Sequence, residues 1–169
     1  MSINIFFILI LTLLVGMFSY FKPVKHDLLA LKEVPQFELD KFVIYEISPH
    51  RIDRFFEGDH GKRFSDRYEV SEAKFTNNEK PLLESIRADN ALYKDDVISL
   101  DGKVHYSRAD GLQFHSDEGI YDQTRSLITT DGDFTITKNE NIIQGTRLYY
   151  NLNIDTVSAD KIQASYQLN

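Results

Sequence analysis

The alternation of apolar and polar residues from Phe37 onward predicts an all-β domain. Short stretches with a two-residue period follow one another and are separated by Gly, Asp and Asn. No part of this region keeps a helical period over several turns. Residues 26–34, with the sequence HDLLALKEV, are the one stretch whose pattern allows a helical turn.

The stretch ISLDGKVHY, residues 98–106, tests whether Asp101-Gly102 is a hairpin turn. A two-residue turn there would pair Leu100 with Lys103 and would mix apolar and charged side chains on each face. A continuous strand separates them and predicts a bend at the glycine, where no side chain is present. One face then carries Ile98, Leu100, Gly102, Val104 and Tyr106.

The stretch SLITTDGDFTIT, residues 126–137, has the same pattern around Gly132. A strand that runs through this glycine separates apolar from polar side chains, so Gly132 is predicted to be a second bend. Asp110-Gly111 differs because it lies in a polar stretch between two alternating runs, which predicts a turn. The apolar face of the second strand carries Ile128, Thr130, Gly132, Phe134 and Ile136.

A weak internal repeat indicates how these strands are arranged. Tyr93, Tyr121 and Tyr149 recur at equal spacing, and each is followed about ten residues later by a polar bend, with Lys161 in place of glycine in the last unit. Each unit predicts a pair of strands. Stacked pairs that all bend predict a curled antiparallel sheet, shaped like a boat or open jelly roll with an apolar interior.

Strand parity selects the side chains that line this interior. Each of them also fits ordinary core packing, which is the commoner role for any single apolar residue. The two interpretations make different predictions for these residues as a group, because a filled core excludes lipid whereas an open trough binds it. The predicted interior residues are Ile86, Ile98, Leu100, Val104, Tyr106, Leu112, Phe114, Ile128, Phe134 and Ile136.

The N-terminal region predicts a membrane anchor. Residues 3–21, INIFFILILTLLVGMFSYF, carry no charge and are long enough for a helix to cross a bilayer. A cleaved signal peptide is less favoured, because no Lys or Arg precedes the run and bulky residues end it. Lys22 and Lys25 alone place the end of the span weakly in the cytoplasm, so the sequence leaves the orientation open. The predicted organisation is an anchor at 1–22, a linker at 23–36 and a β-domain at 37–169.

Composition narrows the chemistry of the domain. The net charge of -7 argues against a nucleic-acid partner, and the lack of cysteine excludes disulfides and thiolate chemistry. His105 and His115 fall on polar strand faces and are predicted to be exposed, and the abundant carboxylates fit a soluble outer face. No phosphate loop or nucleophile motif is present, so no enzymatic activity, metal or cofactor is predicted.

One basic and aromatic stretch, RIDRFFEGDHGKRF at residues 51–64, has two interpretations. It fits a site for an anionic ligand, but Gly58, Asp59 and Gly61 favour a long turn between strands. An anchored β-shell with an apolar lining and no catalytic residues predicts a protein that holds or passes a lipid.

The run SIRADNALYKDDVISLDGKVHY, residues 85–106, resembles the LptC family of lipopolysaccharide transport proteins. The resemblance continues through SDEGIYDQTRSLITTDG, residues 116–132, in which Gly132 matches the second bend glycine of the family. In the last strands, Gly145 of IQGTRLYY and Tyr166 of IQASYQ match the family pattern, and the match predicts Gly145 as a third bend. The N-terminal span followed by such a domain is also the layout of the family.

The resemblance implies a single-pass inner-membrane protein whose β-jellyroll, shaped like a twisted boat, lies in the periplasm. It implies that the domain receives lipopolysaccharide from an inner-membrane ABC transporter and passes the acyl chains to the next periplasmic bridge protein, which adds to an edge strand. It also adds Tyr166 to the lipid-facing residues. Two other functions stay open: a β-domain that only tethers partner proteins, and a membrane-anchored hydrolase, which the lack of catalytic residues disfavours.

Overall fold

The computed structural model describes residues 33–49, 51–79 and 81–167. The chain divides into two units, and all of the described residues belong to the second unit, Lys32–Asn169. The predicted anchor at 1–22 lies outside the described residues, as does most of the predicted linker. Among the residues that are described, no helix is long and apolar enough to cross a membrane.

The second unit is one antiparallel sheet in which each strand pairs with its neighbours in the sequence, in the order β1 to β9. The all-β prediction is confirmed, and a single open, curled sheet is consistent with a jellyroll-like fold. Strands β1 and β9 form the two edges of the sheet. The strands are β1 Phe37–Ser48, β2 Arg51–Arg63, β3 Tyr68–Asn77, β4 Glu84–Lys94, β5 Val97–Arg108, β6 Leu112–Asp122, β7 Leu127–Lys138, β8 Asn141–Asn151 and β9 Thr156–Ser165.

The predicted continuous strands are present, since β5 runs through Gly102 and β7 runs through Gly132. Asp110-Gly111 is part of the turn between β5 and β6, also as predicted. One detail of the prediction is wrong, because Gly102 does not point to the same side as Val104. Its φ of +75° is left-handed, and a Cβ atom at this position would lie 2.7 Å from Oδ2 of Asp89.

The interpretation of residues 51–64 as a long turn is wrong, because this stretch forms β2. Its glycines permit a close approach of side chains from the neighbouring strands. A Cβ atom on Gly58 would lie 2.5 Å from Val70 Cγ1 and 2.9 Å from the ring of Phe42, and one on Gly61 would lie 2.7 Å from that ring. The missing side chains therefore make room for packing within the sheet.

A bend line crosses the nine strands at one level of the sheet. At this level the pairing of neighbouring strands is interrupted or shifts its register. Several non-glycine residues on the bend line have left-handed backbone angles, with φ between 49° and 53°. These are Lys41, Glu72, Lys103, Arg147 and Lys161.

The bend line divides the sheet into two walls. We call the part that contains Tyr106 and Phe114 the first wall, and the part that contains Ile98 and Tyr121 the second wall. A Cβ atom on Gly119 of the second wall would lie 3.8 Å from Val104 Cγ1 at the bend line. The apolar sides of both walls therefore belong to one continuous inner face.

Most of the buried apolar residues lie along the bend line on this inner face. Paired residues of neighbouring strands point to the same side of a sheet, and here they form a row of small or apolar side chains. Val104 pairs with Ser116, Ser116 with Phe134, and Phe134 with Gly145. All of these residues are buried, and Ala73 and Ala88 continue the buried row in β3 and β4.

Candidate functional site

The first wall carries one apolar row along its inner face. Four of the predicted interior residues lie in it side by side, because Ile86 pairs with Tyr106, Tyr106 with Phe114, and Phe114 with Ile136. The row continues into neighbouring strands through residues that strand parity did not select. These are Ile44, Phe56 and Phe75 on one side and Ile143 on the other.

This row is apolar but incompletely covered. Ile86, Tyr106, Phe114 and Ile136 are half-buried, Phe75 is 37% exposed and Ile44 is 53% exposed. The bend line below them is different, since Val104 is 2% and Phe134 is 3% exposed. Val104 and Phe134 are therefore core residues at the base of the inner face, and the row above them is accessible lining.

The second wall carries an aromatic row. The predicted residues Ile98 and Ile128 both pair with Tyr121, and Tyr93 and Tyr150 extend this row. The tyrosine repeat in the sequence marked two of these positions. Its third member, Tyr149, points to the other side of the sheet, because Tyr150 is the residue that pairs with Ile128.

The remaining predicted residues lie at the margins of these rows. Leu100 belongs to the second wall and pairs with Ala91 and Gly119. Leu112 pairs with Lys138 at the outer end of the first wall. Tyr166 follows the end of β9 and is 63% exposed, so the structure does not bring it into either row.

Gly145 lies on the inner face in a crowded position. A Cβ atom there would be 2.6 Å from Ile162 Cδ1, 2.8 Å from Phe134 Cζ and 3.0 Å from the carbonyl oxygen of Asp160. At Gly132, by contrast, the nearest atoms would be 3.9 to 4.0 Å away. Gly132 and Gly145, two of the three glycines that were predicted as bends, therefore differ in how much space surrounds them.

A charged lip ends the first wall beyond its apolar row. We use this name for the inner-face residues Glu84, Arg108 and Lys138 together with Asp110 of the adjoining turn. Arg108 donates from Nε and Nη2 to the two carboxylate oxygens of Asp110, at 2.9 and 3.0 Å. Lys138 Nζ donates to Oδ2 of Asp110 at 2.9 Å. Both cations hold the pKa of Asp110 well below its usual range.

The phenol of Tyr150, in the second wall, donates a hydrogen bond to Oδ1 of Asp155 at 2.8 Å. A hydrogen bond to Asp155 raises the pKa of Tyr150, and burial raises it further, whereas the positive charge of Arg108 opposes this shift. Tyr150 belongs to the second wall and Arg108 to the first.

Tyr106 shows how dry the inner face is next to the charged lip. Burial, followed by the charge of Glu84 and a hydrogen bond to its carboxylate, raises the pKa of Tyr106 to about 12. The phenol is therefore protonated at neutral pH and acts as a hydrogen-bond donor at the boundary between apolar and charged surface.

The outer face of the first wall is polar. His105 pairs with His115, and their rings stack with centroids 4.2 Å apart. Burial lowers the pKa of His105, and the charges of His115 and Arg87 lower it further. His115 is exposed as predicted, whereas His105 is half-buried. Within the part of the chain that the structure describes, no group of three or more His, Cys, Asp or Glu residues is placed to hold a metal ion.

The charged lip predicts an acid-sensitive contribution to stability. A carboxylate whose pKa falls on folding stabilises the folded state above its unfolded pKa of about 3.9, and this stabilisation is lost as the pH falls below that value. We expect Asp110→Asn to lose less stability than the wild type between about pH 5 and pH 2. Urea midpoints measured across this range test the prediction, and parallel pH profiles for the two proteins would contradict it.

The sequence of the chain matches a known protein family over most of its length. A family model described as lipopolysaccharide-assembly, LptC-related, matches residues 5–158. No curated protein matches the chain. The matched range includes β1 to β8 and the first residues of β9, and therefore both walls of the inner face.

Proposed function

Since the chain belongs to the LptC-related family of lipopolysaccharide-assembly proteins, we propose that its inner face is a trough for the acyl chains of lipopolysaccharide. Membership of this family supports a role in lipopolysaccharide transport, and the family is one of transport-bridge proteins, not a known enzyme family. The proposal concerns the finer step, which is how the β-domain carries the lipid.

The incomplete burial of the apolar rows carries this proposal. A filled core would cover side chains such as Phe114, Ile136 and Ile98, but these are only half-buried, and Phe75 and Ile44 are exposed. Each methylene group that leaves water contributes about 0.8 kcal/mol, so an acyl chain laid along these rows would be held strongly without any polar contact. Apolar lining that the protein leaves uncovered is the surface that such a chain needs.

The same proposal includes the surroundings of the domain. Residues 1–22 anchor the chain in the inner membrane as a single span, residues 23–36 connect it, and the domain from residue 37 to residue 169 lies in the periplasm. The lipid comes from the inner-membrane ABC transporter and passes to the next periplasmic bridge protein. The edge strands β1 and β9 support this, because their unpaired backbone groups allow a neighbouring jellyroll to add a strand.

Photo-crosslinking in intact cells tests the trough directly. A benzophenone side chain replaces Phe114, which points to the inner face, and in a matched variant it replaces the adjacent His115, which points to the outer face. We expect lipopolysaccharide to attach at position 114, in a manner that depends on ATP, and not at position 115. Folded and assembled protein that never crosslinks at position 114 would leave only the tethering role.

A further inference from the structure

The charged lip lies at the margin of the inner face, in a row that also contains the charged pair Glu46 and Arg54 of β1 and β2. Glu84 pairs with Arg108, and Leu112 pairs with Lys138, one step beyond the row that contains Tyr106. Residues two positions apart in a strand are about 7 Å apart, so these charges border the proposed acyl-chain surface directly.

The arrangement brings two cations to one carboxylate. Arg108 comes from β5 and Lys138 from β7, and both bind Asp110, which lies in the turn between β5 and β6. Asp110 also accepts a hydrogen bond from the backbone N–H of Leu112 at 3.4 Å. The Arg108 side chain is 30% exposed and that of Lys138 is 48% exposed, so an anion from solution can reach both.

The chemistry of these groups fits a phosphate. A guanidinium donates two parallel hydrogen bonds to phosphate or carboxylate, and an ammonium adds a third donor in a flexible position. A phosphate dianion carries more charge than the single carboxylate of Asp110, so it can compete for the two cations. The carboxylate of Glu84 lies beside Arg108 and repels a bound anion electrostatically. The phenol of Tyr106 is hydrogen-bonded to Glu84 and lies on the apolar side of the charged lip.

We propose that Arg108 and Lys138 bind a phosphate group on the sugar headgroup of the lipid whose acyl chains lie in the trough. Asp110 holds the two cations in place while the trough is empty and yields them when the phosphate arrives. The charged lip thus selects phosphorylated glycolipids and sets the direction in which the lipid lies, headgroup at the lip and chains along the apolar row. This inference rests on the proposed function.

Equilibrium binding of the full-length chain in nanodiscs tests the proposal with two probes, lipopolysaccharide and the same lipopolysaccharide after chemical dephosphorylation. We expect Lys138→Gln to weaken binding of the phosphorylated probe roughly tenfold, as loss of one charge-assisted hydrogen bond does, and to leave binding of the dephosphorylated probe unchanged. Lys62→Gln is the matched control, since Lys62 is also 48% exposed but points to the outer face. It should change neither affinity.

A second variant predicts the opposite sign. Asp110→Asn removes the internal competitor, so the phosphorylated probe should bind several-fold more tightly while the dephosphorylated probe is unaffected. Wild-type protein that binds both probes equally would overturn the headgroup site but leave the trough intact, whereas protein that binds neither probe would overturn the proposed function. Inorganic phosphate at millimolar concentration should compete only weakly, and full competition would show a site for free phosphate instead of a headgroup.

Discussion

Phe134→Ala is expected to lower the free energy of unfolding by about 3–5 kcal/mol, the cost of removing a large buried side chain. Phe134 is 3% exposed at the bend line, between Ser116 and Gly145, and its ring stacks with that of Phe114 at 6.0 Å. Truncation would leave a cavity where the two walls join, and rows on both sides prevent its collapse. Urea denaturation of the wild type and the variant under identical conditions measures the difference.

Phe75→Ala is the matched control on the same inner face. Phe75 is 37% exposed and lies in the accessible row of the first wall, so its loss should cost only about 1–2 kcal/mol. The same variant should reduce lipid crosslinking at position 114, because it removes part of the proposed lining. Equal destabilisation by the two variants would mean that the inner face is an ordinary core.

These two variants distinguish core residues from accessible lining residues, which the sequence alone did not distinguish. Parity identified inner-face residues without indicating how deep each one lies. Depth depends on where the bend line crosses each strand, and thereby on which rows the opposite wall covers. The structure assigns Val104 and Phe134 to the base and Ile86, Tyr106, Phe114 and Ile136 to the lining.

Parity succeeded in β5 and β7 for a geometric reason. Leu100 and Val104 are inner-face residues on opposite sides of the bend line and are four positions apart. The residues on both sides of the bend therefore keep the predicted parity, although Gly102 itself does not point to the inner face. Their partners in β6, Gly119 and Ser116, are only three positions apart, and the alternation reverses there. The additional residue in β5 accounts for the register shift between the two strands.

The reversal explains why strand parity missed the tyrosines of the second wall. If the alternation of β6 is continued from Phe114, it predicts Ile120 on the inner face and Tyr121 on the outer face. In the structure Ile120 points outward and Tyr121 points inward. No glycine marks the bend in several strands, since polar residues such as Lys41 in β1 and Glu72 in β3 take up the left-handed angle instead. In the sequence, a polar residue at the bend looks the same as a polar residue on the outer face, so it does not indicate where the bend lies.

The wrong prediction of a long turn at residues 51–64 has a different cause. Gly58 and Gly61 are close together in a polar stretch, which is a typical turn pattern. In the structure they accommodate the ring of Phe42 from β1 and the side chain of Val70 from β3. Glycine is required at these positions because of side chains on neighbouring strands, and a local sequence pattern contains no information about those contacts.

Gly145→Ala is expected to lower the free energy of unfolding by about 1–3 kcal/mol, the usual cost of overpacking a well-filled site. The new methyl group would lie 2.6 Å from Ile162 Cδ1 and 3.0 Å from the carbonyl oxygen of Asp160. The Ile162 side chain can rotate away, but the carbonyl belongs to the backbone of β9. Relief therefore requires β9 to move away from β8, which would also open this edge of the sheet.

Gly132→Ala provides the comparison, because the neighbours of its Cβ atom lie at ordinary contact distances of 3.9 to 4.0 Å. We expect this variant to change stability by less than about 0.5 kcal/mol, as surface substitutions usually do. Hydrogen exchange would show whether Gly145→Ala loosens the amides that join β8 to β9 while those of β4 to β6 keep their protection. If both variants are equally stable, close packing around position 145 is not the reason for glycine there. If only Gly145→Ala loses stability, the lack of a side chain at position 145 is what allows β9 to pack closely against β8.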